Sequence, residues 1–379
     1  MTLTPAELAR YSRHLSLSGF GMNGQEKLKA AKVLVIGAGG LGSPALLYLA
    51  AAGVGTLGIA EFDRVDVSNL QRQILFDAQQ VGHGKAEAAH ARLHALNPHI
   101  QINVHAEQLD AGNVLDMVRE YDVVLDGTDR FAVRYLINDV CVLLKKPLVS
   151  AAIHRFEGQA FTYVPQQGPC YRCLFPEPPQ DGAVPNCAEA GVLGVLPGVM
   201  GTLQATEAIK LITGIGEPLI GRLLTYDALD MRFGEFQFAA NPACAVCGIQ
   251  PSITQPQDMA TVCASEIVTE RIAWQMIDAE ALQDLLQSKA ATVLIDVREP
   301  YEFAAGHLPH ALNIPLADLS QRLADLPQTQ PWILMCRSGS RSAQACALIA
   351  QQLPNVEIAN LEGGLMAWRQ TINTDLVVV

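Results

Sequence analysis

The C-terminal part of the sequence contains a cysteine followed by small and cationic residues, in the stretch WILMCRSGSRSAQACALIA (332–350). The apolar residues before Cys336 predict a buried strand, and the Ala-rich residues after the run predict a helix. Cys336 is therefore expected where backbone N–H groups and a helix N-terminus converge, an arrangement that lowers a thiol pKa and binds anions. Its thiolate could attack a phosphate ester, or it could carry a sulfur atom as a persulfide.

The length of this loop favours the persulfide. Four residues separate Cys336 from Arg341, a shorter cradle than the one that cysteine phosphatases wrap around a whole phosphate. The loop N–H groups, with Arg337 or Arg341, would stabilise the persulfide anion on Cys336. Cys346, in the Ala-rich helix, is interpreted as an inert core cysteine.

A second stretch, KVLVIGAGGLGSPALLYLAAAGVGTLGIAEFD (32–63), predicts a strand, a glycine loop, a helix and a second strand. Gly37, Gly39 and Gly42 fit G-x-G-x-x-G, whose glycines permit a tight turn, close approach of the backbone to a phosphate, and packing of helix on strand. Glu61, at the end of the second strand, is placed to accept hydrogen bonds from ribose hydroxyls. The pattern predicts a nucleotide-binding fold.

Further charged residues follow in this region. Arg72 lies in DVSNLQRQ, Lys85 lies near the start of a helix in GHGKAEAA, and Asp126 and Asp129 lie in VVLDGTDRF. Each could be an ordinary surface cation, turn residue or cap. Together, on the C-terminal edge of one doubly wound sheet, two cations and a carboxylate suit a triphosphate with Mg²⁺.

Two C-x-x-C pairs, CYRC (Cys170, Cys173) and CAVC (Cys244, Cys247), are separated by 70 residues. Tetrahedral zinc takes four thiolates, and each pair supplies two from one turn. The alternative is a redox pair, but two matched pairs without thioredoxin-like surroundings favour zinc. Because all four ligands come from the protein, the site is expected to be structural.

The elements that must position these residues fall into two α/β domains. Residues 1–249 predict a Rossmann-like, doubly wound nucleotide-binding domain with the zinc site. Residues 250–270 predict a polar, Pro-containing linker, and residues 271–379 predict a second, small α/β domain. The loop PEPPQDGAVPNCAEAGVLG (176–194), which contains Cys187, is polar and long enough to be functional or mobile.

Composition excludes several classes of partner. The chain has 379 residues, of which 50% are hydrophobic and 17% charged, with a formal net charge of −12. This acidic balance argues against nucleic acid and membrane surfaces as partners, because both favour basic patches. Nine cysteines, without a signal segment at the N-terminus, predict a reducing and therefore cytoplasmic location.

From about Leu8 to Ile249 the sequence resembles the MoeB/ThiF family, the ubiquitin-activating-enzyme-like adenylyltransferases that act on small sulfur-carrier proteins. The matching motifs are RYSRH, GAGGLGSP, SNLQRQ, GKAEAA, DGTD and the two cysteine pairs. The resemblance implies that ATP and Mg²⁺ bind, with Asp129 on the metal. It implies nucleotide contacts from Gly37, Gly39, Gly40, Gly42, Glu61, Ser68, Asn69, Arg72, Lys85, Asp129 and Arg130.

The same resemblance implies further roles and shows two departures. Arg13, in RYSRH, matches the arginine that the family inserts into the partner subunit's site, which implies a homodimer. Cys187 matches the family's acyl- or disulfide-forming cysteine and is expected to be catalytic. Glu61 replaces the family's usual Asp, and Arg130 replaces a commoner Asn.

From Ala279 to the C-terminus the sequence resembles a single rhodanese domain, through DVRE, EF..GH, CRSGSRS and GG..AW. The resemblance implies that Cys336 carries sulfane sulfur and that Arg341 supports it. His310 stands where the family commonly has Gly.

Together the resemblances imply an enzyme that adenylates the C-terminal glycine of a ubiquitin-like carrier ending in Gly-Gly, of the MoaD/ThiS type, and converts it to a thiocarboxylate. The sulfur donor would be a cysteine desulfurase or thiosulfate, and the product would serve molybdopterin, thiamine, cysteine or tRNA thiolation. Two other functions stay open. A nicotinamide (NAD) oxidoreductase would use the same glycine loop without needing Arg72, Lys85 and Asp129 together, and a noncatalytic scaffold would keep the zinc site and a protein-binding surface.

Overall fold

The computed structural model describes residues 2–178, 191–258, 274–288 and 291–378. The chain divides into two compact units, Met1–Glu266 and Ile267–Val379. Within the described residues, each unit is built on one β-sheet. No helix in these ranges is both long and apolar enough to cross a membrane.

The first unit contains an eight-stranded sheet. Its strands are β1 (Lys32–Ile36), β2 (Thr56–Ala60), β3 (Gln101–His105), β4 (Val123–Asp126), β5 (Leu148–His154), β6 (Glu157–Tyr163), β7 (Arg222–Asp227) and β8 (Arg232–Gln237). They are ordered β3-β2-β1-β4-β5-β6-β7-β8 across the sheet. The first five pair in parallel, and β6, β7 and β8 join in antiparallel.

The helices of the first unit include the connections between its parallel strands. In chain order they are α1 (Pro5–Arg10), α2 (Ser12–Leu15), α3 (Gly21–Ala30), α4 (Gly42–Ala52), α5 (Lys85–Leu96), α6 (Val114–Arg119), α7 (Phe131–Leu143), α8 (Tyr171–Leu174) and α9 (Leu196–Thr213). Short 3₁₀ turns cover Val67–Asn69 and Ala78–Gln80. Helix α4 buries Ala45, Leu46 and Leu49 in the same core as β1 and β2, which explains why residues 33–60 carry no charge.

The strand order creates the binding edge. From β1 the chain moves outward through β2 and β3 on one side, and it returns to place β4 and β5 on the other. The crevice at such a reversal, outside the carboxyl ends of the strands, is where ligands bind in doubly wound sheets. Gly37, Glu61 and Gly127 follow directly on β1, β2 and β4 and therefore meet there.

The second unit contains a five-stranded, all-parallel sheet with the order β11-β10-β12-β13-β9. Its strands are β9 (Gln275–Ile277), β10 (Val293–Asp296), β11 (Leu312–Asn313), β12 (Trp332–Met335) and β13 (Ile358–Leu361). Its helices are α10 (Ala279–Gln287), α11 (Pro300–Ala305), α12 (Leu319–Arg322), α13 (Ser340–Gln352) and α14 (Gly364–Thr371), with a 3₁₀ turn at Leu323–Asp325. The central strand β12 is buried along its whole length and ends directly before Cys336.

Candidate functional site

A cleft of about 1010 Å³ opens at the carboxyl edge of the first sheet. It brings together most of the residues that the sequence assigns to a nucleotide site: Gly37, Gly39, Gly40, Glu61, Arg72, Lys85, Asp129 and Arg130. Gly42, Ser68 and Asn69 lie next to these residues in the chain but do not line the cleft. The cleft is large enough for a nucleotide together with part of a second substrate.

The glycine turn requires its glycines at two positions. Gly37 has φ +90°, which L side chains rarely adopt. A Cβ on Gly42 would lie 1.8 Å from the carbonyl oxygen of Gly37. The turn and the first residue of α4 are therefore packed too tightly for any side chain, as G-x-G-x-x-G predicts.

Glu61 holds this turn in place. Its carboxylate accepts hydrogen bonds from the backbone N–H groups of Ala38 (3.0 Å), Phe62 and Asp63 (both 2.9 Å). A carboxylate offers about four acceptor sites, so one remains for a ribose hydroxyl. The structure thus gives Glu61 a structural task in addition to the predicted ligand contact.

Two cations line the same cleft as the glycine turn. Lys85 is the first residue of α5, is 5% exposed, and its Nζ lies 3.4 Å from Oδ2 of Asp63. Arg72 is half-buried, and its Nη1 donates to the carbonyl of Ser68 at 3.1 Å. The Lys85 ammonium group has three N–H donors, and its one ion pair, with Asp63, is long. It therefore retains donors for an anionic ligand.

Asp126 and Asp129, which the sequence places together, have different environments. Asp126 is fully buried and accepts from Arg134 Nε (2.8 Å), Ser150 Oγ (2.8 Å) and the Thr128 N–H (3.0 Å). Asp129 is exposed and lines the cleft. Asp126 therefore positions the loop, and Asp129 is the carboxylate available to a metal ion.

Arg134 and Gln73 are site residues that sequence reasoning missed. Arg134 also donates to the carbonyls of Thr128 and Ala151, so it braces the loop that carries Asp129. Arg134 and Asp139 are both charged residues among the buried residues of α7. Gln73 also lines the cleft, although its side chain is only 5% exposed. Its Oε1 atom has no hydrogen-bond partner among the described residues.

The two remaining residues of this unit that are predicted to be catalytic, Arg13 and Cys187, are not among the residues that line the cleft. Arg13, on α2, is exposed and does not line the cleft. Cys187 lies outside the described residues. Gly194 and Pro197 are described, and both pack close to the SNLQRQ loop or the glycine turn. A Cβ on Gly194 would lie 2.4 Å from Oε1 of Gln71, and a Cβ on Gly40 would lie 3.1 Å from Pro197.

The two C-x-x-C pairs converge on one point. The Sγ atoms of Cys170, Cys173, Cys244 and Cys247 all lie within 4.8 Å of one another. Three of the S···S distances are 3.3, 3.6 and 3.9 Å, close to the roughly 3.8 Å that a tetrahedron with Zn–S bonds of about 2.3 Å requires. The donor set therefore fits a closed, four-thiolate zinc site.

The surroundings of one of these cysteines, Cys173, favour its thiolate form. The Asn241 N–H donates to Sγ of Cys173 at 3.3 Å. The hydrogen bond with Cys170 lowers the pKa of Cys173 to about 5, whereas the pKa of Cys170 itself is raised by the same pairing. The knuckle is fixed to α7 by Arg172, which makes two hydrogen bonds to Asp139 at 2.7 and 2.8 Å.

In the second unit, Cys336 lies at the start of the predicted loop. Its Sγ accepts from the Gly339 N–H at 3.1 Å and from Ser342 Oγ at 3.4 Å. Gly339 has φ +93° and is the N-cap residue of helix α13. The sulfur therefore points into the loop and the first turn of the helix, as the sequence predicts.

Cys346 is buried, and burial raises the pKa of its thiol to about 12, so it stays protonated.

The remaining rhodanese-like motifs hold this loop from outside. The N–H groups of Leu365 and Met366, in α14, donate to the carbonyls of Cys336 (2.8 Å) and Arg337 (3.0 Å). A Cβ on Gly364 would lie 2.5 Å from the Cys336 carbonyl oxygen, so the GG motif allows this close approach. Arg341 donates two hydrogen bonds to Glu302, at 2.7 and 2.8 Å.

Comparisons with known proteins show which families the two parts of the chain match. Residues 11–246 match the profile described as ThiF family, and residues 278–371 match that of a rhodanese-like domain. A Mycobacterium tuberculosis protein named probable adenylyltransferase/sulfurtransferase MoeZ is 44% identical, over 99% of this chain and 96% of its own. Adenylyltransferase and sulfurtransferase MOCS3 of Drosophila ananassae is 42% identical, over 98% of this chain and 85% of its own.

A solved structure shows the same fold in the first unit. The crystal structure of E. coli MccB with ATP superposes with a TM-score of 0.57 at 26% identity, over 63% of this chain and 73% of that one. The resemblances inferred from the motifs are thereby confirmed, as is the predicted α/β fold class. The chain belongs to the ThiF family and is one of its two-domain adenylyltransferase/sulfurtransferases, with a rhodanese domain at the C-terminus.

Proposed function

We propose that this enzyme uses ATP to adenylate the C-terminal glycine of a small ubiquitin-like carrier protein and then converts that carboxylate to a thiocarboxylate with sulfur carried on Cys336. One observation carries the proposal. The cleft of the first unit gathers a glycine turn, Arg72, Lys85 and Asp129 at the carboxyl edge of the sheet, and a hydride-transferring enzyme has no need of that charge arrangement.

The first step is attack of the carrier carboxylate on the α-phosphorus of ATP. The new C–O–P bond forms as the bond to pyrophosphate breaks, and pyrophosphate leaves with the electron pair. Lys85 and Arg72 offset the negative charge that grows on the phosphates. Mg²⁺ held by Asp129 would neutralise further phosphate charge. Arg13, which does not line the cleft of its own chain, would complete the site of a second copy.

The second step transfers sulfur. The persulfide of Cys336 attacks the acyl-adenylate carbonyl, and AMP leaves. The thiolate of Cys187 then attacks Sγ of Cys336, so that a Cys187–Cys336 disulfide forms and the carrier leaves as its thiocarboxylate. A thiol reductant must reopen the disulfide before the next cycle. The persulfide itself would come from a cysteine desulfurase or from thiosulfate.

The far end of the cleft suits the carrier. The cleft extends from the glycine turn to β7 and β8, where it is lined by Thr225, Arg232 and Phe233. Next to it, the edge strand β8 exposes Phe236 (61%), and Met231 before it is 71% exposed. An edge strand with exposed aromatic side chains is a surface for another chain. A folded carrier could rest there with its extended tail in the cleft.

The experiment incubates the purified enzyme with candidate carriers ending in Gly-Gly, ATP, Mg²⁺ and thiosulfate. We expect one carrier to exchange a terminal oxygen for sulfur by intact-mass measurement, with release of AMP and pyrophosphate. The Cys336→Ala variant should still form the acyl-adenylate but no thiocarboxylate. Tight NAD binding without any carrier-dependent ATP–pyrophosphate exchange would overturn the proposal.

A further inference from the structure

Arg13 lies on a short helix whose position depends on its neighbours. Arg13 is exposed, whereas Tyr11 before the helix is buried and His14 and Leu15 are half-buried. Residues three and four positions apart lie on the same side of a helical turn, so residues 11, 14 and 15 share the buried side. Helix α2 has four residues, too few to be stable alone. The place of Arg13 is therefore set by what Tyr11 and His14 contact.

Tyr11 is held by a glycine and by a buried amide. Its ring packs against Gly53, which has φ +86° and where a Cβ would lie 2.4 Å from Cζ of the ring. The Tyr11 hydroxyl accepts a hydrogen bond from Nδ2 of Asn97 at 2.8 Å. The same Nδ2 donates to the carbonyl of Ala50 at 2.7 Å, and Asn97 is fully buried. The tyrosine is therefore fixed at both its ring and its hydroxyl.

His14 is held by a second buried amide. Gln25, on α3, is fully buried and donates from Nε2 to the carbonyl of Ala52 at 2.8 Å. Its Oε1 lies 3.0 Å from Nδ1 of His14. Because an amide oxygen only accepts, Nδ1 of His14 must carry the hydrogen. Loss of this donor would take a partner from a buried oxygen, which is unfavourable.

Both sets of contacts end at the same part of the fold. Ala50, Ala52 and Gly53 are the last residues of α4 and the residue that caps it. The first residue of α4 is Gly42, which packs against the glycine turn of the cleft. One helix therefore adjoins the glycine turn at its N-terminal end and supports the segment that carries Arg13 at its C-terminal end. Side chains supported by such elements are placed more precisely than those on free loops.

Resting on the proposed role of Arg13 in the cleft of a second copy, we infer that Tyr11 and His14 are positioning residues for that arginine. Neither residue lines the cleft of its own chain. Their task is to hold α2 against α4, so that Arg13 meets the phosphates in the second copy in one orientation. Precise placement matters because a displacement of about 1 Å can lower a catalysed rate by about 10²-fold.

The test uses a mixed dimer of two full-length chains that carry different affinity tags. One chain has Asp129→Ala, so its own cleft is inactive and it supplies Arg13. The other chain has Arg13→Ala, so it supplies the working cleft. ATP–pyrophosphate exchange is measured with the Gly-Gly carrier that gains sulfur in the mass experiment, and it reports one arginine in one cleft. His14→Leu, which removes the Nδ1 donor, is placed on either chain in turn.

On the chain that supplies Arg13, His14→Leu should lower the exchange rate roughly 10- to 100-fold. On the chain that supplies the cleft, the same substitution should leave the rate unchanged. His14→Asn on the first chain should recover most of the loss, because its Nδ2 places a donor where Nδ1 lies. Tyr11→Phe, which removes only the hydroxyl, should give a smaller loss in the same pattern. His90→Leu, at an exposed histidine of α5, is the matched control and should equal the parent dimer on either chain.

Equal losses from His14→Leu on either chain would overturn the inference, because a general loss of stability would then explain them. A loss only on the chain that supplies the cleft, or no loss on the chain that supplies Arg13, would overturn it as well. If the mixed dimer shows no more exchange than the two parent variants, Arg13 does not act in a second copy, and the inference fails with that assignment. Carrier-dependent exchange by the wild type would still support adenylation in that case, so the two failures are distinguishable.

Discussion

In the proposed adenylation step, single charged residues of the cleft balance the charge of the phosphates, and Asp129 is the proposed ligand of Mg²⁺. It is exposed within the cleft, whereas its neighbour Asp126 is enclosed by protein donors. Asp129→Ala should therefore lower carrier-dependent ATP–pyrophosphate exchange by about 10²-fold or more, the loss typical of removing an electrostatic group from an active site. Persulfide loading of Cys336 should be unchanged. The control is Asp116→Ala, at an exposed residue of α6, which should keep the wild-type exchange rate. Exchange at the wild-type rate in Asp129→Ala would contradict the assignment of Asp129 as the metal ligand.

His310 illustrates a residue whose backbone is strained. Its φ is +64°, in the left-handed region that favours glycine, at the position where the rhodanese family commonly has Gly. His310→Gly should therefore raise the free energy of unfolding of the second unit by about 0.5–1 kcal/mol, measured by thermal or urea unfolding. An unchanged or lower stability would show that the His310 side chain makes compensating contacts.

At the scale of the elements, the loop after β4 depends on a buried ion pair with α7. The Arg134 and Asp126 side chains are 7% and 0% exposed. Arg134→Met leaves the Asp126 carboxylate buried without its cation, so we expect the first unit to lose about 3–5 kcal/mol of stability. The exposed Arg119–Asp116 pair of α6 supplies the comparison, and Arg119→Ala should change stability by no more than about 1 kcal/mol. Equal losses of unfolding free energy in Arg134→Met and Arg119→Ala, measured by urea unfolding, would contradict the structural role of Arg134.

Helix α1 is joined to α3 by a pair that titrates. Lys29 Nζ lies 2.7 Å from Glu7 Oε2. Burial alone would raise the pKa of Glu7, but the hydrogen bonds from Lys29 and Thr4 lower it from 4.5 to about 2. Because the folded-state pKa is depressed, the stabilisation is complete above pH 4.5 and is lost as the pH falls towards 2. Glu7→Gln should reduce the dependence of the free energy of unfolding on pH between about 2 and 4.5, measured by urea unfolding. The same pH dependence in Glu7→Gln and the wild type would contradict the contribution of the Glu7–Lys29 pair.

At the scale of the whole molecule, zinc should contribute directly to the folding of the first unit. Metal analysis should give about one zinc per chain, and Cys244→Ser or chelation should lower the melting temperature of that unit, because a closed thiolate site binds only the folded chain. Cys141→Ala, at a buried cysteine outside the cluster, should keep its zinc. Active protein without zinc would contradict the assignment.

The sequence predicts the local motifs of both units and misses contacts between distant residues. The turn at Gly37 and Gly42 and the loop at Cys336 could be predicted because their geometry depends on neighbouring residues. The cysteine cluster could be predicted because two matched C-x-x-C pairs together supply the four thiolates that zinc takes. The Asp126–Arg134 and Arg341–Glu302 pairs could not be predicted, since each depends on how two elements pack: β4 with α7 in the first case, and α11 with α13 in the second. Asp126 and Asp129 look alike in the sequence, and only the fold separates them.

The central proposal is that the sulfur on Cys336 becomes the sulfur of the carrier's thiocarboxylate. The most direct measurement loads Cys336 with isotopically labelled sulfane sulfur, removes the donor, and adds carrier and ATP for a single turnover. Intact-mass analysis should then show the label leaving Cys336 and appearing on the carrier's terminal glycine, and only when ATP is present. A thiocarboxylate without the label, or a label that moves to the carrier without ATP, would contradict the coupling of adenylation to sulfur transfer.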